Sequence, residues 1–209
     1  FVVGLLDDLH RLSARVKLAC EFGAAGCLVW CLDLGFERLD FLGFGQLWIS
    51  EPVGFALACL WITGMANAVN LIDGLDGLAA GITLCGLVAV AAVGYELNML
   101  PVLWLSVLLI ASILGFLVFN SRPASIFLGD CGSLTLGFLA GVLSLMASQR
   151  GGGSIDAIFP VLAFSVPIGD ASFAILRRIL RGRSPFSPDK EHFHHRLMAK
   201  GLSHGRAVL

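Results

Sequence analysis

Charged residues are scarce in this chain. They make up 14% of its 209 residues, while 57% are hydrophobic; ordinary soluble domains carry roughly 25% charged residues. With a mean hydropathy of +0.86, that deficit excludes an ordinary soluble globule. Strict alternation of apolar and polar residues is also missing, which excludes a β-barrel, whose strands alternate over roughly 10 residues. None of the six cysteines (Cys20, Cys27, Cys31, Cys59, Cys85 and Cys131) stands in a C-x-x-C pair. Most lie inside apolar runs, where cysteine behaves as a small hydrophobe rather than a disulfide or metal ligand. A net charge of −1 gives no indication of nucleic-acid binding. Neither an initiator Met nor a signal peptide opens the chain. Phe1 stands inside an apolar run and Leu209 follows a basic region, so residues 1–209 read as one integral membrane domain, truncated at both ends.

Long apolar runs are abundant. About 20 apolar residues suffice to cross a hydrocarbon core as a helix, and the hydropathy places six complete spans, roughly at 18–34, 53–69, 78–95, 100–119, 132–148 and 157–176. Residues 1–6 resemble the tail of an earlier span. The stretch 35–51, with Gly35, Gly43 and Gly45 among alternating apolar residues, suits a short hairpin outside the membrane. The expected fold is all-α, a polytopic transmembrane helix bundle. Alternating the spans puts residues 7–17, 70–77, 120–131 and 177–209 on one side, with twelve Lys and Arg; residues 35–52, 96–99 and 149–156 carry only Arg38 and Arg150. The positive-inside rule makes the first side cytoplasmic. Every polar cluster suited to chemistry falls on that side, which predicts one shared site built from cytoplasmic loops.

Four clusters stand out. Asp7 and Asp8 end an apolar run just before Arg11, Arg15 and Lys17. Acids at a helix C-terminus oppose the helix dipole, and adjacent carboxylates repel unless a cation or proton lies between them. Asn67, Asn70, Asp73 and Asp76 recur every third residue, close to one helical turn, and Gly74, Gly77 and Gly81 permit a tight turn. Polar groups at such depth are functional by default. Asp130, within Phe127 to Ser133, sits where a helix N-terminus would favour an anion; a metal-binding carboxylate is the expectation, against a simple cap. His192, His194 and His195 lie in a basic stretch with Pro185 and Pro188. They suit phosphate or nucleotide binding, a membrane-surface patch, or a zinc site, although no common zinc spacing is present. Asp170, inside the last span, is open between a functional group and a partner for a neighbouring helix. His10 and His204 suggest no role.

Carboxylates that hold Mg²⁺ and a rim of basic groups are the usual equipment for handling a pyrophosphate, where the metal neutralises charge and aligns attack. At a membrane edge such a site suits one water-soluble and one lipid substrate. The motifs Gly-Leu-Leu-Asp-Asp (4–8) with Leu-Ser-Ala-Arg-Val-Lys-Leu (12–18), Asn-Ala-Val-Asn-Leu-Ile-Asp-Gly-Leu-Asp-Gly (67–77), Phe-Leu-Gly-Asp-Cys-Gly-Ser (127–133) and His-Phe-His-His (192–195) occur in that order. In this the chain resembles the polyprenyl-phosphate N-acetylhexosamine-1-phosphate transferases, glycosyltransferase family 4 in type. The broken histidine run points to the GlcNAc branch rather than the phospho-N-acetylmuramoyl-pentapeptide branch.

The resemblance implies a transferase in which a lipid phosphate attacks the β-phosphorus of a UDP-linked amino sugar and UMP leaves. It implies Mg²⁺, with Mn²⁺ as a substitute, held by Asp130 with Asn70 as second ligand. It implies catalytic roles for Asp7, Asp8, Asp73, Asp76 and Asp130, and substrate contacts from Lys17, Asn67, Asn70, His192, His194 and His195. The partners would be a UDP-amino sugar, undecaprenyl phosphate and the bilayer of a bacterial inner membrane, with the active site facing the cytoplasm and a homodimer compatible. Such enzymes begin the synthesis of O-antigen, teichoic acid or other envelope polymers. Because a phosphate is already largely ionised at pH 7, its second pKa being about 6, charge neutralisation matters more than a base. Two rivals from other classes remain: an ion-coupled transporter, which tends to place its acids near the midplane with internal repeats, and a zinc protease, which would need His-Glu-x-x-His. Neither feature is found in the chain.

Overall fold

The computed structural model describes residues 1–36, 38–40, 46–150, 154–156 and 158–182. Eight helices dominate them: α1 (Val2–His10), α2 (Ala14–Leu32), α3 (Glu51–Ile72), α4 (Leu78–Glu96), α5 (Leu100–Asn120), α6 (Gly129–Ser148), α7 (Ile158–Ala163) and α8 (Ser165–Leu180). Four of these, α3 to α6, are long and apolar enough to cross a membrane, at 22, 19, 21 and 20 residues. At 1.5 Å per residue each spans about 30 Å. Helix α2 has 19 residues but carries Arg15, Lys17 and Glu21 in its first half.

The span expected over 157–176 is not one helix. It breaks at Phe164 between α7 and α8. Pro167 supplies the reason: a proline ring collides with the carbonyl four residues back and lacks an N–H, and α7 ends at that residue, Ala163. Phe164 fills the break, fully buried, and donates its N–H to the Pro160 carbonyl at 3.1 Å.

Helices α3 and α6 form the centre of the bundle. Gly137 and Gly141 of α6 let the two backbones meet: a Cβ on Gly137 would lie 2.6 Å from the Met65 carbonyl oxygen, and one on Gly141 would lie 3.0 Å from the Met65 Cβ. Small residues spaced by four are the usual means of close helix packing in a membrane. Around this contact lie Ile62, Met65, Val69, Leu143 and Leu145, all buried. Helix α5 packs on α4 at the margin and leaves Trp104, Leu108 and Val118 exposed, as a lipid-facing helix should.

Short strands join two connections. In β1 (Arg38–Asp40), β2 (Gln46–Trp48), β3 (Gln149–Arg150) and β4 (Ser154–Asp156) the order is β2-β1-β4-β3. The β1–β2 pair is antiparallel, as expected of a hairpin in 35–51, and β1 runs parallel to β4. The Arg38 guanidinium lies 5.2 Å from the Trp48 ring centre. Two of the connections that the charge pattern places on the far side therefore share one sheet.

Candidate active site

At the opposite end of the bundle the helix ends bring the polar clusters together. Helix α1 ends just past Asp7 and Asp8, and the chain turns at Arg11, whose left-handed backbone (φ 51°) sends its N–H back to the Asp7 carbonyl. Ser13 caps α2, accepting from the Val16 N–H at 3.4 Å. One turn into α2, the Lys17 ammonium donates to Asp7 at 2.8 Å and to Asp130 at 2.6 Å. The side chains of Lys17 and Asp7 are 16% and 13% exposed, against 33% for Asp130, so water screens the pair poorly.

Two carboxylates thus share one cation. Asp7 is held below its ordinary value, first by hydrogen bonding with the Asp130 carboxyl, then by the Lys17 ammonium and the Leu12 N–H, against the upward push of burial. Burial pulls Lys17 down, but its bonds to Asp130 and Asp7 more than offset this and leave it raised.

Asp8 does something different from its neighbour. Its carboxylate accepts from the backbone N–H groups of Asp130 and Cys131 at 2.9 and 3.0 Å. These are orphan donors of the first turn of α6, so an acid on one helix caps another. Gly129 makes the approach possible: its φ is +63°, and a Cβ there would stand 2.9 Å from an Asp8 oxygen. The N-terminus of α6, an obvious anion site, is therefore already filled by Asp8.

Asn67 and Asn70 lie on the last turns of α3. Asn70 donates to Ser133 Oγ at 2.9 Å, and Ser133 donates to the Gly129 carbonyl at 2.8 Å. Asn70 is thereby tied to the turn that carries Asp130, with its own amide oxygen left to accept. Asn67 donates to Glu21 and to the Thr63 carbonyl. Asp73 follows as the C-cap of α3 and is pushed up to about 6 by burial, with a smaller push from the Asp130 charge. Asp76 accepts from the Ala124 N–H at 3.2 Å. The geometry joins Asp7, Asp8, Lys17, Asn70 and Asp130 directly, places Asp73 within the field of Asp130, and docks Asp76 on the neighbouring loop. His192, His194 and His195 lie outside the described residues. Asp170, in α8, is half-buried.

Three participants were not among the site residues expected from the sequence. Asn120, 5% exposed, accepts from the Gly77 N–H at 3.0 Å and donates to the Ile126 carbonyl at 2.8 Å, locking the 73–77 turn to the loop before α6. Ser133 bridges α3 and α6. Glu21, 6% exposed, holds Asn67; its signal was a lone acid within an otherwise apolar run.

The donors left to a ligand here are carboxylate and amide oxygens, the hard set that suits Mg²⁺. Among the described residues no group of three or more His, Cys, Asp and Glu is arranged as a metal cage. Mg²⁺ characteristically takes one or two carboxylates and completes its shell with waters and substrate phosphates, so the residues present fit it.

Residues 1–148 match the description Glycosyl transferase family 4. A Bacillus subtilis (strain 168) protein described as a probable undecaprenyl-phosphate N-acetylglucosaminyl 1-phosphate transferase is 45% identical, over 100% of this chain and 58% of its own length. A decaprenyl-phosphate N-acetylglucosaminephosphotransferase of Mycolicibacterium smegmatis is 36% identical over 99% of this chain and 56% of its own. An undecaprenyl-phosphate alpha-N-acetylglucosaminyl 1-phosphate transferase of Thermotoga maritima is 33% identical over 93% and 57%. The chain thus spans less than three-fifths of the length of these relatives. With that match over most of its length, the chain belongs to glycosyl transferase family 4.

Proposed function

We propose that the protein carrying this chain transfers a sugar-1-phosphate, GlcNAc-1-phosphate, from a UDP-sugar to polyprenyl phosphate at the cytoplasmic face of a bacterial inner membrane. This would be the first membrane step in building an envelope polysaccharide. The observation that carries the reading is the convergence of Asp7, Asp8, Lys17, Asn70 and Asp130 at one end of an apolar bundle. The activities named for the relatives support it. A transporter is disfavoured because the acids gather at helix ends rather than mid-span.

In the proposed reaction an oxygen of the lipid phosphate bonds to the β-phosphorus, and the bond from that phosphorus to the oxygen bridging it to the nucleoside phosphate breaks, so UMP leaves with that oxygen. Mg²⁺, held by Asp130 with Asn70, would supply charge neutralisation on the diphosphate. Lys17, whose ammonium donates to Asp7 and to Asp130, has a third N–H to offer a phosphate oxygen. Asp7, held low and already bonded to Lys17 and Leu12, is a weak base and serves to orient Lys17. Asp8, with both oxygens on the backbone of α6, holds Asp130 in place. Asp73 and Asp76 are assigned to the nucleotide, and His192, His194 and His195 to the same donor.

The lipid chain needs an apolar bed. A cavity of about 510 Å³ lies between α3 and the broken α7–α8 segment, lined by Leu57, Leu60, Trp61, Pro160 and Ile168 among others, and suits an isoprenoid. The six-span topology is part of the same proposal, with α2 and α7–α8 crossing beside the four longer helices. The test is a donor panel. Membranes carrying the full-length protein are supplied with undecaprenyl phosphate and UDP-GlcNAc, UDP-GalNAc or UDP-MurNAc-pentapeptide. The reading expects UMP release with UDP-GlcNAc and little with the pentapeptide donor; the reverse order would move the protein to the peptidoglycan branch.

A further inference from the structure

Glu21 is a carboxylate 6% exposed in the first half of α2. One of its oxygens, Oε2, accepts from the Asn67 amide; the other, Oε1, is buried and finds no hydrogen-bond partner among the described residues. It borders a cavity of about 240 Å³ whose other walls include Gly4, Ala24, Leu134 and Phe138. An uncompensated buried charge is costly, so a carboxylate here calls for a reason beyond packing.

Its surroundings supply one. Glu21 stands four residues from Lys17, on the same face of α2, and Lys17 bonds the carboxylates of Asp7 and Asp130. It also decides how Asn67 faces. The Asn67 nitrogen donates to Glu21 and to the Thr63 carbonyl, and both partners can only accept. Both amide hydrogens are therefore committed away from the site, which leaves the Asn67 oxygen as an acceptor. Three residues on, Asn70 has the same polarity, its nitrogen given to Ser133.

We infer that Glu21 is a positioning residue for the site: it fixes the Asn67 amide with its oxygen free and adds a buried negative charge that strengthens the binding of a divalent cation at Asp130 and Asn70. This deepens the proposed transferase reading and rests on its cation chemistry. Glu21 touches neither substrate; it acts through Asn67 and through its charge.

The test uses the full-length protein in detergent with Mn²⁺ as probe and no substrate present. Mn²⁺ binding is followed by electron paramagnetic resonance, and thermal unfolding reports whether each variant folds. Glu21→Gln keeps the side-chain length and an acceptor for Asn67 but removes the charge. It is expected to unfold within a few degrees of wild type and to bind Mn²⁺ about tenfold more weakly, as loss of a poorly screened charge implies. Glu21→Asp, which keeps the charge, is expected to recover most of that loss, and Asn67→Ala, which keeps the charge and removes the amide, to weaken binding about threefold. Equal affinity in wild type and Glu21→Gln overturns the inference, as does a wild type that binds no Mn²⁺. Should Glu21→Gln not fold, an Asn67→Ala variant with unchanged affinity overturns it too. A wild type that binds Mn²⁺ yet releases no UMP would sink the transferase reading and leave this inference standing.

Discussion

An ammonium 2.8 Å from Asp7 and 2.6 Å from Asp130 ties folding to pH in a direction that can be worked out. Asp7 is lowered, so its contribution is present above the ordinary carboxylate range and lost as pH falls through its folded value. Lys17 is raised, so its contribution is whole below the ordinary lysine value and lost only as pH climbs through its folded value. The cluster is therefore intact across neutral pH. Asp73 has the opposite sign for an acid. Raised from 3.8 to about 6, it takes up a proton in the folded chain before the unfolded chain does, and it favours the fold as pH drops from about 6 towards 4. If its charge serves the nucleotide pocket, kcat/KM falls below pH of about 6 by a one-proton step, and Asp73→Asn abolishes that step; a pH–rate profile of the two proteins decides it. Asp8 makes a different prediction. Because it caps α6, Asp8→Ala should cost about 1–2 kcal/mol of stability, read by thermal unfolding, and Asp8→Asn distinctly less. The divergence of two adjacent aspartates was not legible in the sequence, since it depends on where α6, more than 120 residues later, presents its free N–H groups.

At the scale of the elements, hydropathy located the long helices among the described residues but smoothed over their breaks and their buried acids. The windows around 157–176 are apolar enough to read as one span, yet Pro167 forbids the hydrogen bond that would join α7 to α8, and a single residue decides what an average cannot. Glu21 escaped notice for the same reason, one acid among many apolar neighbours. Asn120 escaped because its partners, Gly77 and Ile126, lie in other segments and no periodicity connects them. The motifs at Asp7–Asp8, Asn67–Gly77 and Phe127–Ser133 were legible because polar residues in apolar surroundings demand a partner, and the helix ends bring all three together. The seam between α3 and α6 holds them at the right spacing. Gly137→Val places a side chain where a Cβ already meets Met65 oxygen at 2.6 Å and the Ala66 Cα at 2.7 Å. It should cost about 2–3 kcal/mol, seen as a lowered unfolding temperature, and should depress activity by moving Asn70 relative to Asp130.

The whole molecule is polarised: a site of acids, amides and one lysine at one end, and a small sheet at the other. The charge count of twelve against two supports the proposed topology, in which those ends lie on opposite sides of the membrane. Single cysteines at Ser121 and Trp48, in a background without the six native ones, should therefore label from opposite faces of a sealed membrane, Ser121 from the cytoplasm; labelling of both from one face would refute the topology. Whether this polarised end performs metal-assisted phosphoryl transfer with Asp130 as a ligand is decided by one comparison. Membranes carrying the full-length protein, wild type or Asp130→Asn, are given UDP-GlcNAc, undecaprenyl phosphate and Mg²⁺, and UMP release is measured. Lipid-dependent release is expected from the wild type and a loss of at least about 100-fold in the variant, on the scale of removing a group that stabilises transition-state charge. Unchanged turnover in Asp130→Asn would contradict it.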